Sequence, residues 1–224
     1  MKSLTKLESL DISGTNLGGS DGDRVVTGGE VCDIPGLVGR VKHPLEFLGL
    51  YKTHNESSSR QHIPAITITG DATEVQILAA GQRYLERPTV LHSILNDLYI
   101  LLRYKTSTDL KQALDICLLA MDRYLEEKNI QISASASLYH LVKSNNLRKD
   151  WNLKIKRKIL STLLTGMMTH KTDHILRRNG CLIVGLFRVP VDILFEYERL
   201  AQILLFIVEN NETDIFTQQS QCCS

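Results

Sequence analysis

The sequence holds little that would commit it to chemistry. Its 224 residues include one tryptophan, five prolines and five cysteines. Cys32, Cys117, Cys181, Cys222 and Cys223 are scattered, odd in number and free of any C-x-x-C pair, which is reduced, intracellular usage. Cys117 and Cys181 fall in apolar helical patterns and read as small buried hydrophobes. The opening MKSLTKLESLDIS has no apolar core of a signal peptide. The longest apolar run, residues 203–208, is far too short for a bilayer span. Neither charge sign dominates, with 26 Lys plus Arg against 25 Asp plus Glu and a net charge of +1. That balance excludes the broad basic field of non-specific nucleic-acid binding. The expectation is an intracellular soluble protein, cytoplasmic or nuclear, with protein partners recognised locally and neither nucleic acid nor membrane among them. The sequon Asn211-Glu212-Thr213 is then a chance match. Cys222-Cys223-Ser224 is no prenylation box, because Gln221 stands four from the end.

What is present is ordinary globular composition, 43% hydrophobic and 23% charged, enough for one domain or two small ones. Two periods divide it. Leu7, Leu10, Ile12 and Leu17 fit L-x-x-L-x-L-x-x-T-x-L, a leucine-rich-repeat template with Thr15 at the usual Asn position. Leu10 and Ile12 are expected to point inward from a strand, Leu7 and Leu17 to turn into the core, and the Thr15 hydroxyl to bond the turn backbone. Leu45, Leu48 and Leu50 repeat the pattern, with Thr53 at the polar position, 38 residues after the first copy. The excess over the usual spacing of about 20–29 residues falls in residues 18–36. This glycine-rich, acidic stretch is expected to be an exposed loop insertion. Asp21-Gly22-Asp23 lacks the rest of a calcium loop and reads as a solvated turn. The domain organisation expected is therefore 1–51 terminal leucine-rich repeats, 52–70 a polar linker, 71–209 helical repeats and 210–224 a polar divergent tail.

From Asp71 onward the apolar period is helical. Asp71 with Glu74 suggests a capping box, Pro88 opens a second helix, and Leu91, Ile94, Leu95, Leu98, Leu101 and Leu102 form its apolar stripe. Ser107 or Thr108 can cap a third helix through about residue 128. It carries Leu110, Ala113, Leu114, Cys117, Leu118 and Met121. Further helices are expected near 130–145, 151–168, 172–187 and 190–209, the last with Pro190 near its start and a stripe including Ile193, Leu194, Leu200, Ile203, Leu204 and Ile207. A shift of 45 residues lays Leu114, Leu118 and Leu119 on Ile159, Leu163 and Leu164. The same shift lays Ile130 on Ile175, Leu141 on Leu186, and Ala134-Ser135-Ala136 on Asn179-Gly180-Cys181. That period lies in the armadillo/HEAT range of about 40–47 residues. The fold class expected is mainly α: an armadillo/HEAT-like α-solenoid preceded by the end of a leucine-rich-repeat array. A third repeat begins and gives way to NNETDIFTQQSQCCS, from which a truncated form is expected, marginally soluble or self-associating through apolar ends.

Candidate chemistry is sparse. His170 and His174 stand at i, i+4 but lack the glutamate of a zinc-protease helix, and read as a solvated loop or helix-start pair. Cys181 near His174 has no orienting carboxylate. No nucleophile elbow, phosphate loop or nucleotide fingerprint appears. Arg148, Lys149, Lys154, Lys156, Arg157 and Lys158 read as a solvated helix face opposite Leu153, Ile155 and Ile159. Trp151 fits an interface anchor or packing between repeats. No enzyme is expected, and no catalytic, cofactor-binding or metal residue is assigned.

LESLDISGTNL (7–17), IPGLVGRV (34–41), PLEFLGLY (44–51), GDATEVQILAA (70–80), LNDLYILLRY (95–104), ALDICLLAMDRYLEEK (113–128) and IQISASASLYHLV (130–142) together resemble the zyg-eleven family, with the vertebrate A paralogue the nearest in pattern. The resemblance covers about residues 1–207. It implies leucine-rich repeats followed by armadillo-like repeats in a substrate receptor of a cullin-2 RING ubiquitin ligase, whose family members target N-terminal glycine degrons. It implies elongin C and cullin-2 as partners, through a box that would precede Met1 and is expected to be absent. It also implies a degron pocket in later repeats, with no matching stretch here, so degron-binding residues stay unknown and none is carried over. The function expected is a non-catalytic scaffold segment of such a receptor. The alternative is a free-standing armadillo-type protein-binding module or a competitor of the full-length receptor.

Overall fold

Three short strands carry the leucine-rich pattern in a computed structural model. It describes residues 6–20, 24–27, 29–144, 152–188, 191–192 and 194–209. The expectations for Asp21 to Asp23, Arg148, Lys149, Trp151, Pro190, Ile193 and the tail from 210 lie outside the described residues. The chain forms two units, Met1–Glu86 and Arg87–Ser224.

In the first unit, β1 (Ser9–Asp11) pairs in parallel with β4 (Leu45–Gly49), and β4 with β5 (Ala65–Thr69). Leu10 lies opposite Leu48 and Leu48 opposite Ile68, so equivalent apolar positions stack from turn to turn. Ile12, Leu45, Leu48 and Leu50 are buried with Leu7 and Leu10 packed against them. The threonines act as expected. Thr15 Oγ1 donates to the Ile12 carbonyl at 2.7 Å and accepts from the Leu17 amide at 3.2 Å. Thr53 Oγ1 donates to the Leu50 carbonyl at 2.8 Å. Leu17, expected inside, is 64% exposed. The turn closes at Thr15, and the core is completed by Cys32, Ile34 and Leu37 instead.

Cys32 and Ile34 correct the reading of 18–36 as an exposed loop. The insertion holds an antiparallel hairpin, β2 (Val25–Thr27) with β3 (Glu30–Cys32), and feeds apolar side chains into the core. Arg60 pins it, donating to the carbonyls of Gly18 at 2.6 Å, Gly19 at 2.9 Å and Asp33 at 2.6 Å. Residues 52–70 are not a bare linker either. They hold a 3₁₀ segment (His54–Ser59) and β5, a further turn of the array. The turn was hidden because Ala65 and Gly70 stand where Leu45 and Leu50 stood, so the sequence reads as polar.

Helix α1 (Glu74–Arg83) packs on β5 and so belongs to the first unit, not to the helical repeats that follow. Its N-cap is Thr73, which accepts from the Gln76 amide, rather than Asp71; the Asp71 carboxylate accepts from Ser58 at 2.8 Å. Tyr84, just past its end, donates to Asp11 at 2.9 Å and contacts the hydroxyls of Ser13 at 2.8 Å and Thr69 at 3.1 Å. Gly49 makes this approach possible, because a Cβ there would collide with the Asp11 carboxylate and the Tyr84 hydroxyl.

The second unit is built from α2 (Pro88–Tyr104), α3 (Leu110–Arg123), α4 (Lys128–Lys143), α5 (Leu153–Thr169), α6 (His174–Val184) and α7 (Tyr197–Glu209). Successive helices form hairpins, α3 with α4 and α5 with α6, and each also packs on the helix two places further along. One layer is therefore α2, α4 and α6, the other α3, α5 and α7. This is the two-layered α-solenoid that the 45-residue period predicts. Helix starts are set by side-chain caps at Asp109, Asn152 and Asp173, each accepting an amide in the first turn. Asp109, not Ser107 or Thr108, caps α3. Leu91, Ile94, Leu95 and Leu98 are fully buried as the stripe required. Leu119 breaks the register with Leu164: it is exposed where Leu164 is buried. The last helix starts at Tyr197, later than expected, after a 3₁₀ turn (Leu194–Glu196).

Polar side chains lock the hairpins. Gln131, in the first turn of α4, donates to the carbonyls of Met121 at 2.7 Å and Tyr124 at 2.9 Å, at the end of α3. Arg177 does the same one repeat on, donating to Lys171 at 2.9 Å. These bonds satisfy carbonyls that helix ends leave open.

Candidate functional site

The layer of α2, α4 and α6 presents a cleft of about 500 Å³. Small and polar residues form its floor because three helices must lie side by side there. Ser133 donates to Asn96 at 2.7 Å, tying α4 to α2. Ser137 donates to the Leu95 carbonyl at 3.3 Å. Asn179 donates to Ser135 at 3.0 Å, tying α6 to α4. Ala136 lies between these ties. The walls are aromatic: the ring of His140 lies 5.6 Å from that of Tyr99 and 5.3 Å from that of Tyr139, the second pair edge to face. Burial, followed by the charges of Lys143 and Arg103, holds His140 below the usual imidazole value, so it is neutral at neutral pH. Ser133, Ser135, Ser137 and Asn179 are buried and bonded within the fold, so the open surface offers mainly ring and apolar contacts, from Tyr99 and Tyr139 with Ile132, Ile175 and Leu182. It has no nucleophile paired to a base.

The residues weighed from sequence fare differently. Cys181 is buried, and burial pushes its thiol up to about 11 against the lowering pull of Arg177. Cys117 is pushed to about 12 by burial. Neither thiol carries the thiolate character of a nucleophile. His174 opens α6 in solvent, whereas His170 is half-buried and its Nε2–H donates to the Leu125 carbonyl at 2.7 Å. The two histidines are thus parted between a helix end and the next helix start. Among the described residues no group of three His, Cys, Asp or Glu converges on a metal position. Among the described residues the basic run is the solvated face expected: Lys154, Arg157 and Lys158 are exposed and Lys156 is half-buried. Lys156 pairs with Asp192 at 2.9 Å, Lys158 with Asp122, and Arg157 lies over the Phe195 ring at 5.1 Å. Sequence reasoning named none of the cleft residues as a site. The signal was present in part: the shift that laid Asn179 beside the small-residue cluster marked the face on which the cleft lies. Among the described residues no helix is long and apolar enough to cross a membrane.

A leucine-rich array and a two-layered α-solenoid in one chain define a repeat protein. Residues 1–53 match the family described as Zer-1-like leucine-rich repeats, and residues 119–223 match the Protein zer-1 homolog-like C-terminal domain. The chain is 44% identical to Protein zer-1 homolog of Drosophila melanogaster over 98% of its own length and 29% of that protein. It is 35% identical to Zyg eleven-related protein 1 of Caenorhabditis elegans over 97% of its length and 24% of that protein. It is 33% identical to Protein zer-1 homolog of Mus musculus over 78% and 22%. The chain belongs to the zyg-eleven family. The relatives bear zer-1 and zyg eleven-related names, and a placement beside the vertebrate A paralogue gains no support from them. The chain spans less than a third of the length of these relatives. No solved structure matches it.

Proposed function

We propose that this chain is a non-catalytic segment of a substrate-recognition subunit of a cullin-2 RING ubiquitin ligase, holding a protein-binding surface rather than a reactive one. One observation supports this reading: the cleft across α2, α4 and α6 is lined by the rings of Tyr99, Tyr139 and His140 beside Ile132, Ile175 and Leu182, the make-up of a protein-binding surface. A ligase receptor needs such a surface and no more, since it contributes proximity while another subunit transfers ubiquitin. Family membership supports the ligase context, including elongin C and cullin-2 as partners of the assembled receptor and glycine-ended degrons as ligands of its later repeats. The leucine-rich turns and the solenoid would act here as the scaffold joining those functions, inside the cell.

Co-precipitation tests this. The chain and the full-length Drosophila zer-1 homologue are each incubated with elongin C, cullin-2 and an immobilised glycine-ended peptide. The reading expects the full-length relative to retain all three. Failure of the relative to retain elongin C and cullin-2 sinks the ligase assignment. Binding of other peptides by the short chain, without cullin-2, favours the second reading, a free-standing armadillo-type module or competitor. That reading draws on the same cleft.

A further inference from the structure

The cleft and its neighbour carry a charge bias that the whole chain does not. A second cleft of about 330 Å³ shares His140 with the first and is lined by Arg103, Lys105 and Lys143 among others. Arg178 lines the first cleft. Among the described residues the two linings together hold these four cations and no Asp or Glu, in a chain with 26 basic and 25 acidic residues. All four side chains are exposed. Among the described residues none has a carboxylate partner, whereas Lys156 and Lys158 each have one. Arg103 and Lys143 sit in the last turns of α2 and α4, where a cation offsets the helix dipole. That accounts for them but not for Arg178 in the middle of α6, beyond the reach of either end of the dipole. A local cluster of exposed cations, two of them lying over the rings of Tyr104 and Tyr139 and none with a carboxylate partner among the described residues, complements an acidic ligand beside a ring-lined cleft.

We propose that the α2–α4–α6 cleft takes an extended peptide whose acidic side chains lie over Arg103, Lys105 and Lys143. This rests on the reading of the cleft as a protein-binding surface. The length of the cleft across three helices suits an extended chain, and Tyr99 and Tyr139 with Ile132, Ile175 and Leu182 suit its side chains. A nucleic acid would need a longer basic track than four cations in a near-neutral chain.

Fluorescence anisotropy on the complete 224-residue chain tests the proposal. The probes are three labelled decamers that alternate serine with glutamate, glutamine or lysine, together with a labelled oligothymidylate of equal length. The glutamate decamer is expected to bind at least about tenfold more tightly than the glutamine decamer, with the lysine decamer weakest. Arg103→Glu with Lys143→Glu, both exposed and checked by circular dichroism, should abolish that preference. Lys105→Glu, outside any helix, should weaken it on its own. Equal binding of all three decamers, lost on Ala136→Arg in the cleft floor, overturns the acidic preference and leaves the peptide-cleft reading standing. No saturable binding of any decamer up to about 1 mM overturns both. Tighter binding of the oligothymidylate than of the glutamate decamer overturns the peptide in favour of nucleic acid.

Discussion

The imidazole of His170 donates from Nε2 to the carbonyl of Leu125 at 2.7 Å, and the two residues stand one 45-residue repeat apart. The bond joins the turn after α5 to the turn after α3, so equivalent corners of successive repeats are tied directly. His170→Ala removes the donor and leaves a half-buried carbonyl unpaired. A loss of about 1 kcal/mol is expected, read from urea unfolding followed on α3 to α6. An unchanged midpoint would mean that water replaces the imidazole at no cost.

Two glycines on the inner packing faces predict unequal penalties. A Cβ at Gly166 would meet the Gln131 amide, which is held by two carbonyls at 2.7 and 2.9 Å. A Cβ at Gly180 would meet the Met167 thioether, the end of a flexible chain. Gly166→Ala should therefore cost about 1–3 kcal/mol, and Gly180→Ala less. Parallel denaturant curves decide, and the reverse order would contradict the packing described.

Acid should act on the first unit through Asp33. The backbone amide of His62 chiefly holds its carboxyl below the usual value of 3.8, with help from the His62 side chain and Arg24. A carboxylate with a lowered folded value adds stability that is present above 3.8 and lost as pH falls through the folded value. Asp33→Asn should flatten that part of the pH–stability curve while leaving stability at neutral pH reduced. A variant curve parallel to the original below pH 4 would remove Asp33 from the account.

Peptide capture in the proposed cleft should depend on pH through neutral His140. From α2, Arg103 and Tyr99 face it; from α4, Tyr139 and Lys143 do, and Arg178 of α6 shares its cleft. In the free protein its value lies below 6.5, so the unfolded chain binds the proton more readily and stability falls as pH drops from 6.5 toward the folded value. A carboxylate bound nearby favours the imidazolium, so acidic decamers should bind more tightly as pH falls over the same window. Calorimetry in buffers of different ionisation enthalpy would record proton uptake, and His140→Gln should abolish it. Affinity independent of pH in the native chain would separate His140 from the ligand.

Much of the scaffold could be read before folding. The threonines at 15 and 53 announced turn bonds that exist, and the apolar helical period placed the helices near their bounds except the last, which starts later than expected. What escaped detection had lost its signature. The third leucine-rich turn keeps Ile68 but has Ala65 and Gly70 for leucine, and it relies on backbone pairing with β4 rather than on large side chains. The hairpin insertion hid its core residues among glycines. The cleft escaped for another reason. Asn96, Ser133 and Asn179 lie far apart in sequence and follow no motif, and only the side-by-side packing of α2, α4 and α6 brings them onto one surface.

That alternation of layers has a consequence for evolution. Each hairpin adds one helix to the cleft wall, and neighbouring packed helices stand about 9 Å apart. An extended peptide rises about 3.3 Å per residue, so one added or deleted repeat changes the readable length by about three residues. The reach of recognition in such a chain is then counted in duplicated units. On the proposed peptide reading, duplication would lengthen the text that is read, while point substitutions at positions such as Arg103 or Lys143 would change only which letters are accepted.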